Sequence, residues 1–217
     1  MAIWVIITTC LLDSNIVGRD SKTRRSEYFS GISKILNKFQ GCNIVIVENN
    51  SLLERPIHIL KHKTFLDSFG VPVLYTRTNR IITRNYGMKE LIDILECIKK
   101  FNIQDDDFIV KITGRYLLAD DSPFINEIKR LEETQYDSII RFGAYYNPPE
   151  AKSGNCITGL IGLRCKYVKE IEIPDEDTFV EEKWAKRIIE LDDSKVCILQ
   201  QLGIFIRPSG HEYYFAV

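Results

Sequence analysis

The sequence has almost no net charge, since 29 lysine and arginine residues are balanced by 30 aspartate and glutamate residues. Proteins that attract nucleic acid or anionic membranes through their overall field carry a clear basic excess. The opening MAIWVIITTCLL is apolar, but it lacks a basic n-region and is too short to span a bilayer. We therefore expect a protein with no nucleic-acid partner and no membrane anchor.

Cysteine is sparse, and its spacing matches neither a metal site nor a redox motif. The 6 cysteines occur singly, without a CxxC pair or a Cys/His cluster of zinc-site spacing. Cys10 and Cys42 flank strand-like runs, and Cys97 lies on the apolar stripe of a helical pattern. This placement is typical of reduced thiols that pack as small core residues, so we expect no disulfides and a cytoplasmic location.

Several motifs of ligand binding and catalysis are also missing. No GxGxxG follows the first predicted strand, and no GxxxxGK[ST] occurs, which disfavours a dehydrogenase and an NTPase. No GxSxG elbow occurs, and none of the 3 histidines has a serine or cysteine nucleophile at a motif. Covalent hydrolase chemistry is therefore disfavoured as well.

Apolar runs rich in isoleucine and valine alternate with helical patterns, which is typical of a mostly parallel sheet covered by helices on both faces. Strands are predicted at Ile3–Thr9, Asn43–Glu48, Pro72–Tyr75, Phe108–Ile112, Ser138–Phe142, Ile157–Leu163, Val196–Leu199 and Ile204–Arg207. Helices are predicted at about Thr23–Phe39, Thr64–Phe69 and Tyr86–Phe101, from Ser122 onward, and at about Thr178–Leu191. No linker divides the chain, so we expect one α/β domain over residues 1–217.

Polar residues follow the predicted strands at the points where they end. In an open parallel sheet the ligand lies at the carboxyl ends of the strands. Threonine and asparagine can bond a base or ribose, arginine matches phosphate, and glycine lets the backbone approach a ligand. Each residue alone fits a turn or helix cap equally well. Together they predict a nucleoside diphosphate site formed by Thr8, Thr9, Glu48, Asn49, Asn79, Thr113, Gly114 and Arg115.

Six segments, in this order, resemble nucleotide-sugar glycosyltransferases of the GT-A fold: Thr8-Thr9, VENN, TRNYGMKE, FIVKITGRY, ITGLIGLR and VEEKW. The chain is most similar to the small sugar transferases of large DNA viruses, such as the capsid-glycosylating enzymes of chlorella viruses, and of some bacteria. The resemblance implies a GT-A (Rossmann-like) fold, a nucleoside-diphosphate sugar as donor, and a glycan or glycoprotein as acceptor. For a viral enzyme it implies viral glycosylation in the host cytoplasm.

The resemblance also implies roles for particular residues. The end of the second strand would reach the nucleoside, and the RNYGMKE segment would lie over the diphosphate, which adds Arg84 and Asn85 to the donor site. Asn85 fits a helix cap equally well. Arg24, at the start of the first helix, would bind phosphate or face water, and its charge there is unfavourable to the helix dipole unless an anion is bound.

The metal site of such enzymes is not recognisable here. They usually carry Asp-x-Asp at the end of the fourth strand, where this sequence has Thr113-Gly114-Arg115. We expect Arg115 to supply positive charge to the departing diphosphate without an ion. The alternative is Mn²⁺ or Mg²⁺ held by Asp105–Asp107, although this triplet precedes the strand and fits a turn. The metal ligands are therefore unknown.

Residues for catalysis and acceptor binding are predicted in the second half of the chain. Glu181-Glu182 opens a helix where the resembled enzymes carry an acidic pair, and we favour Glu182 over Glu181 as the catalytic base. An acidic pair that merely stabilises the helix dipole explains the same pattern. The loop Gly143–Asn155 is predicted to be exposed. The acceptor-binding candidates are Tyr145 and Tyr146 within this loop and Arg141 and Thr158 on either side of it.

Two other functions remain open. A nucleotidyltransferase that makes an NDP-sugar shares the Rossmann-like sheet but needs a glycine-rich basic loop after the first strand. Residues Leu11 to Arg25 contain only Gly18, which disfavours this function. A non-catalytic nucleotide-sugar-binding module would keep the polar strand ends without a positioned base.

Overall fold

The computed structural model describes residues 1–11, 21–49, 63–78, 81, 83, 85–148, 151–207 and 214–217. Its strands are β1 (Ile3–Thr9), β2 (Asn43–Glu48), β3 (Val73–Tyr75), β4 (Phe108–Thr113), β5 (Leu117–Leu118), β6 (Ser138–Ile140), β7 (Leu160–Arg164), β8 (Val196–Ile198), β9 (Ile204–Ile206) and β10 (Phe215–Ala216). The helices are α1 (Ser21–Lys38), α2 (63–67), α3 (Tyr86–Lys100), α4 (Pro123–Lys129), α5 (Leu131–Thr134), α6 (Cys165–Lys169) and α7 (Val180–Ile189).

A 7-stranded sheet in the order β3-β2-β1-β4-β7-β6-β8 forms the centre of the molecule. The first four strands in this order are parallel, β7 runs antiparallel to both of its neighbours, and β6 pairs with β8 in parallel. The chain leaves β1 toward β2 on one side and returns to β4 on the other. Such a reversal of strand order opens a crevice at the carboxyl ends of the strands, here between β1 and β4.

The side chains of β1 alternate between two apolar cores. Val5 and Ile7 pack with Ile32 of α1 on one face of the sheet, whereas Ile6 packs with Leu91 of α3 and Trp184 of α7 on the other. Successive residues of a strand point to opposite faces, so a continuously apolar strand is buried on both sides. The prediction of an α/β fold with a mostly parallel sheet and helices on both faces is confirmed.

A second, 3-stranded sheet in the order β10-β9-β5 lies beyond the end of β4. Leu117 of β5 pairs with Phe205 of β9, and Phe215 of β10 pairs with Ile206. The sequence analysis predicted β9 but not β5, β10 or α6. This small sheet fixes the segment that follows β4, including Arg115 and Tyr116.

Two predicted strand boundaries differ from the structure by two residues or more, and several others differ by one. The strand predicted to begin at Ile157 begins at Leu160, because the amide of Ile157 bonds the carbonyl of Arg141 and the carbonyl of Gly159 accepts from Thr113. The strand predicted to end at Phe142 ends at Ile140, and Phe142 forms only an isolated bridge with Cys156. Bent chain at these points brings the β6–β7 connection over the crevice.

The loop predicted to be exposed at Gly143–Asn155 is partly packed against the protein. Gly143 is buried and Tyr145 is half-buried. The amide of Gly143 donates to the carbonyl of Asn155, which ties the two ends of the loop together.

Helix starts and helix breaks follow local chemistry. Ser122 caps α4 by accepting from the amide of Ile125 at 3.4 Å, with Pro123 in the first turn. The helix predicted from Ser122 is interrupted at Arg130, which ends α4 and precedes α5. Among the described residues, no helix is both long and apolar enough to cross a membrane. The six cysteines are free thiols.

Candidate active site

A cavity of about 840 Å³ occupies the crevice at the carboxyl ends of β1 and β4. Its walls come from β1, β4, the first turns of α3 and α7, and the connection between β6 and β7. The predicted site residues that line it are Thr8, Thr9, Arg24, Asn49, Thr113, Arg115, Tyr145, Tyr146, Thr158 and Glu181. The crevice thus collects residues from segments that are far apart in the sequence.

The ends of β1 and β2 are joined by the carboxylate of Glu48. This side chain is 2% exposed, accepts from the hydroxyl of Thr9 at 2.8 Å and also accepts from the amide of Leu11. Glu48 does not line the cavity and instead fixes the chain beside it. Asn49 does line the cavity, and its Oδ1 atom is buried without a hydrogen-bond partner in the described part of the chain. A buried amide oxygen without a partner can accept a hydrogen bond from an N–H group of a ligand.

An ion pair between a buried lysine and a half-buried glutamate lies on the floor of the cavity. Lys111, in the middle of β4, is 2% exposed, and its Nζ atom is 2.9 Å from Oε1 of Glu90 on α3. The same ammonium donates to the carbonyl of Thr158 at 2.6 Å and to the hydroxyl of Thr113 at 3.2 Å. Glu90 also accepts from the hydroxyl of Thr8 at 2.7 Å. With three donors satisfied, the lysine ties β1, β4, α3 and the β6–β7 connection into one network.

Glu181, in the first turn of α7, places a carboxylate in this cavity. The side chain is half-buried, and Oε1 accepts from the hydroxyl of Thr158 at 3.3 Å. Burial raises the pKa of Glu181, the charge of Glu90 raises it further, and Lys111 opposes both effects. A carboxylate whose pKa is raised toward neutrality is suited to accept a proton.

Glu182 lies outside the cavity. It is exposed, and successive residues of a helix point about 100° apart. Because Val180 and Trp184 turn the apolar stripe of α7 toward the core, Glu181 faces the cavity while Glu182 faces solvent. Glu181 therefore lies at the site, whereas Glu182, which was favoured from the sequence, does not.

Two arginines bring positive charge to the cavity. Arg24 is 8% exposed, and its Nε atom donates to the carbonyl of Cys10 at 2.8 Å. The guanidinium of Arg115 donates to the carbonyl of Arg207 and lies 5.2 Å from the ring centre of Tyr116. Both side chains are held by their neighbours, so their charges are fixed in position.

Gly114 supports the site without lining it. A Cβ atom at this position would lie 2.9 Å from Cγ2 of Ile7 and 3.1 Å from Cγ2 of Thr9. Its amide donates to the carbonyl of Thr8 at 2.9 Å. The glycine therefore permits β4 to end close against β1, between the two rows of polar residues.

Among the residues predicted to bind the acceptor, the two tyrosines line the cavity and Arg141 supports the loop that carries them. Tyr145 and Tyr146 line the cavity with ring centres 5.0 Å apart and planes at 86°. Arg141 is buried and donates to the carbonyls of Ala144 and Asn147. Arg141 thus holds the tyrosine loop in place and does not line the cavity.

One predicted donor residue, Asn85, serves as a helix cap. Asn85 caps α3 by accepting from the amide of Met88 at 3.0 Å, and its Nδ2 atom donates to the carbonyls of Asp175 and Thr178. It therefore joins the starts of α3 and α7. Asn79 and Arg84 lie outside the described residues.

The sequence analysis missed three charged residues of the cavity, namely Glu90, Asp93 and Lys111. Asp93 accepts from the hydroxyl of Thr78 at 2.6 Å, and burial raises its pKa to about 7. One signal was visible: Lys111 interrupts the apolar strand FIVKIT, where an isolated charge needs a buried partner. Glu90 and Asp93 are one helical turn apart on α3, but two acidic residues at this spacing fit the solvated face of a helix equally well.

The donor set of the described residues does not fit a metal ion held by protein ligands. Glu90 is paired with Lys111, and no described group of three or more His, Cys, Asp or Glu side chains is placed to bind a metal. The triplet Asp105–Asp107 lies at the amino end of β4, the opposite edge of the sheet. There Asp105 pairs with Lys169 at 2.6 Å, and Asp107 accepts from the amide of Ala2.

Comparison with known proteins shows similarity of structure and not of sequence. No protein-family model matches the chain, and no curated protein matches its sequence. A mannosyltransferase from Pyrobaculum calidifontis, solved with GDP-Man and Mn²⁺, superposes with a TM-score of 0.53 at 8% identity, over 91% of this chain and 56% of that one. The chain therefore spans little more than half of that enzyme.

Two further structures match over most of their length. A putative nucleotide-diphospho-sugar transferase from Desulfovibrio desulfuricans has a TM-score of 0.51 at 15% identity, covering 92% of this chain and 80% of that one. A nucleoside-diphosphate-sugar pyrophosphorylase from Vibrio cholerae has a TM-score of 0.51 at 11% identity, covering 93% of each chain. The chain thus has the fold of nucleotide-sugar transferases and pyrophosphorylases.

Proposed function

We propose that this protein is a glycosyltransferase of the hexosyltransferase type that moves a sugar from a nucleoside-diphosphate sugar to a hydroxyl of a glycan or glycoprotein. The observation that carries the proposal is the position of Glu181. Its carboxylate shares one cavity with the polar ends of β1, β2 and β4. A group able to take a proton therefore lies beside the groups suited to a nucleotide. A cytoplasmic location, expected from the cysteine pattern of the sequence, is part of the proposal.

In this proposal the donor lies along the strand ends. Thr8, Thr9 and Asn49 contact the nucleoside, with the unpaired Oδ1 atom of Asn49 accepting from a base or ribose donor. Arg24 and Arg115 hold the diphosphate, because a fixed guanidinium offers parallel donors to phosphate oxygens. Asn79 and Arg84 remain proposed donor residues by the resemblance of their segment.

On the acceptor side, Glu181 takes the proton from the acceptor hydroxyl. The oxygen of that hydroxyl at the same time bonds the anomeric carbon of the donor sugar and displaces the diphosphate. Thr158 keeps the carboxylate in place through the hydrogen bond to Oε1. The leaving diphosphate gains negative charge, which Arg115 stabilises at the other end of the cavity. Tyr145 and Tyr146 contact the acceptor.

A nucleotidyltransferase is the alternative on the same fold, and the charge of the cavity argues against it. Such an enzyme joins two anions, a nucleoside triphosphate and a sugar phosphate, and needs a strongly cationic site. Here the three cations Arg24, Lys111 and Arg115 share the cavity wall with three acidic side chains, Glu90, Asp93 and Glu181, although the pKa of Asp93 is raised to about 7. A balanced site with a proton acceptor fits the transfer of a sugar to a neutral hydroxyl.

The test begins with melting temperatures measured with a panel of NDP-sugars and nucleoside diphosphates. A ligand that binds only the native state raises its melting temperature, and by more as its concentration rises above Kd. The donor that gives the largest shift is then incubated alone, and free nucleoside diphosphate is measured. In parallel, sugar 1-phosphate plus NTP is tested for NDP-sugar synthesis. The proposal fails if only the synthesis proceeds, or if no nucleotide at millimolar concentration shifts the melting temperature.

A further inference from the structure

Three large aromatic side chains stand open to solvent at the mouth of the cavity. Tyr86 is 54% exposed, Tyr146 is 69% exposed and Phe179 is 67% exposed, and all three line the cavity. Tyr146 belongs to the tyrosine loop already assigned to the acceptor. Tyr86 and Phe179 have no role so far. Exposed aromatic rings gathered around a cavity indicate a binding surface, whereas single exposed rings elsewhere need no explanation.

Tyr86 and Phe179 each adjoin a residue at a close contact between α3 and α7. A Cβ atom on Gly87 would lie 2.4 Å from Cγ1 of Val180, so the two helices meet at this glycine. Tyr86 precedes Gly87, and Phe179 precedes Val180. The side chain of Asn85 reinforces the contact by donating to the carbonyl of Thr178 at 2.8 Å. The two rings therefore project from backbone that is already fixed, which reduces the ordering cost of binding.

The surroundings of the two rings select the kind of ligand. The cavity wall beside them carries the hydroxyl of Thr158, the side chain of Asn155 and the carboxylate of Glu181. A lipid chain would displace water from these polar groups without hydrogen bonding to them, at a cost in binding free energy. A pyranose ring has a C–H face that packs on an aromatic ring and hydroxyl groups at its edge for polar partners.

We propose that Tyr86 and Phe179 form a stacking platform for a sugar ring of the acceptor, so that the hydroxyl to be modified belongs to a carbohydrate. The inference rests on the proposed function and narrows its acceptor class. Phe179 and Glu181 line the same cavity, so a ring stacked on the platform occupies the space that this carboxylate faces. An acceptor that presents only a serine or threonine hydroxyl would leave the platform uncovered.

The test measures sugar binding directly, without donor or turnover. Saturation-transfer NMR on the intact protein uses a panel of methyl pyranosides (α-mannoside, β-glucoside, β-galactoside, β-N-acetylglucosaminide and α-fucoside). We expect transfer to the ring C–H protons of at least one glycoside. Tyr86→Ala and Phe179→Ala should each raise its Kd roughly three- to tenfold, as expected for loss of one aromatic contact. Phe179→Trp should retain binding.

Phe29→Ala is the matched control, because Phe29 is 58% exposed and does not line the cavity. It should leave glycoside binding unchanged, and all variants should keep the wild-type melting temperature within a few degrees. The inference is overturned if the wild-type protein binds no glycoside of the panel. It is also overturned if Tyr86→Ala and Phe179→Ala both bind as the wild type does. Because neither readout involves a nucleotide, this failure is distinct from failure of the nucleotide-binding test.

Discussion

At the scale of single residues, the position of Glu181 leads to the sharpest test of chemistry. Glu181→Gln keeps the size of the side chain and its hydrogen bond with Thr158 but removes the proton acceptor. We expect kcat to fall roughly a hundredfold or more, with nucleotide affinity nearly unchanged. Turnover with acceptor and nucleotide Kd by calorimetry are the measurements.

Glu182→Gln is the control for this substitution, since it alters a neighbouring carboxylate that faces solvent. It should retain near wild-type kcat. Loss of activity in Glu182→Gln with a fully active Glu181→Gln would return the catalytic role to the residue that the sequence analysis favoured.

The pH dependence of the reaction follows from the same carboxylate. A base must be unprotonated to act, and burial raises the pKa of Glu181 above its usual range. We expect kcat to increase with pH through this raised pKa and then to level off. Lys111 opposes the shift, so Lys111→Met should move the rising limb to higher pH, and Lys111→Arg should move it less. A profile that stays in place in Lys111→Met would contradict the assignment.

Asp93 makes the stability of the protein depend on pH. Burial raises its pKa from 3.8 to about 7, so between these values the folded state binds more protons than the unfolded state. The free energy of unfolding should therefore fall as pH rises from 4 to 7, by at most about 1.4 kcal/mol per pH unit from this group. Asp93→Asn should remove this contribution. Urea unfolding at pH 5 and pH 8 checks it, and an equal difference between variant and wild type at both values would contradict it.

Some residues of the cavity could be predicted from the sequence and others could not. The difference is whether the order of the strands or the packing of a helix places the side chain. Thr8, Thr9, Asn49 and Thr113 could be placed because strand ends of a parallel sheet converge whatever the side-chain packing. Glu90 and Lys111 could not, because their pairing depends on the rotation of α3 against β4. The choice between Glu181 and Glu182 depended in the same way on the rotation of α7.

At the scale of elements, the contact between α3 and α7 can be tested with one methyl group. Gly87→Ala would place that methyl against the side chain of Val180 and push the two helices apart. Although alanine favours the helix, overpacking of this kind typically costs about 1–3 kcal/mol. We expect a lower melting temperature and weaker binding of methyl glycosides.

Gly154→Ala is the matched control, because a Cβ atom there meets nothing within 4 Å. The double substitution Gly87→Ala with Val180→Ala removes the nearer conflicting atom, Cγ1 of Val180 at 2.4 Å, but keeps its Cβ at 2.6 Å, so it should recover only part of the lost binding. If Gly87→Ala has the stability and the glycoside affinity of the wild type, the helix contact does not position the aromatic rings.

The elements themselves were predicted with unequal success. The bounds of β1 and β2 match the prediction, because each is a continuous apolar run ended by polar residues. The strands β5 and β10 contain two residues each and cannot show any periodicity. Helix α6 is equally short, with five residues, and starts directly after β7. These short elements are defined by long-range pairing that only the folded chain provides.

At the scale of the whole molecule, the balance of charge in the cavity predicts how the enzyme responds to chelation. With Arg115 as the fixed cation at the diphosphate, EDTA should leave most of the activity, and Arg115→Ala should be a severe lesion. Arg130→Ala is the control, since Arg130 is exposed and lies outside the cavity. Activity assays with EDTA and with added Mn²⁺ make the comparison. Complete loss of activity on chelation would contradict this prediction and show that the reaction needs a divalent ion.

The fold alone does not choose between making and using a nucleotide sugar. Structures of both kinds match this chain over more than nine tenths of its length at 15% identity or less. What distinguishes the proposed transferase is chemistry placed on the shared sheet, namely the carboxylate of Glu181 and the equal number of acids and cations around it.

The strand order of the central sheet also influences the order in which the strands pair during folding. The cavity floor joins β1 to β4, where Thr8 is paired with Thr113, whereas β1 pairs with β2 much earlier along the chain. Closing the longer loop is entropically more costly, so β4 is expected to dock after the β1–β2 pair has formed. A folding intermediate that contains only the first half of the sheet would hold the threonines of β1 without Lys111. Nucleotide present during refolding should therefore accelerate only the late phase and leave the early one unchanged.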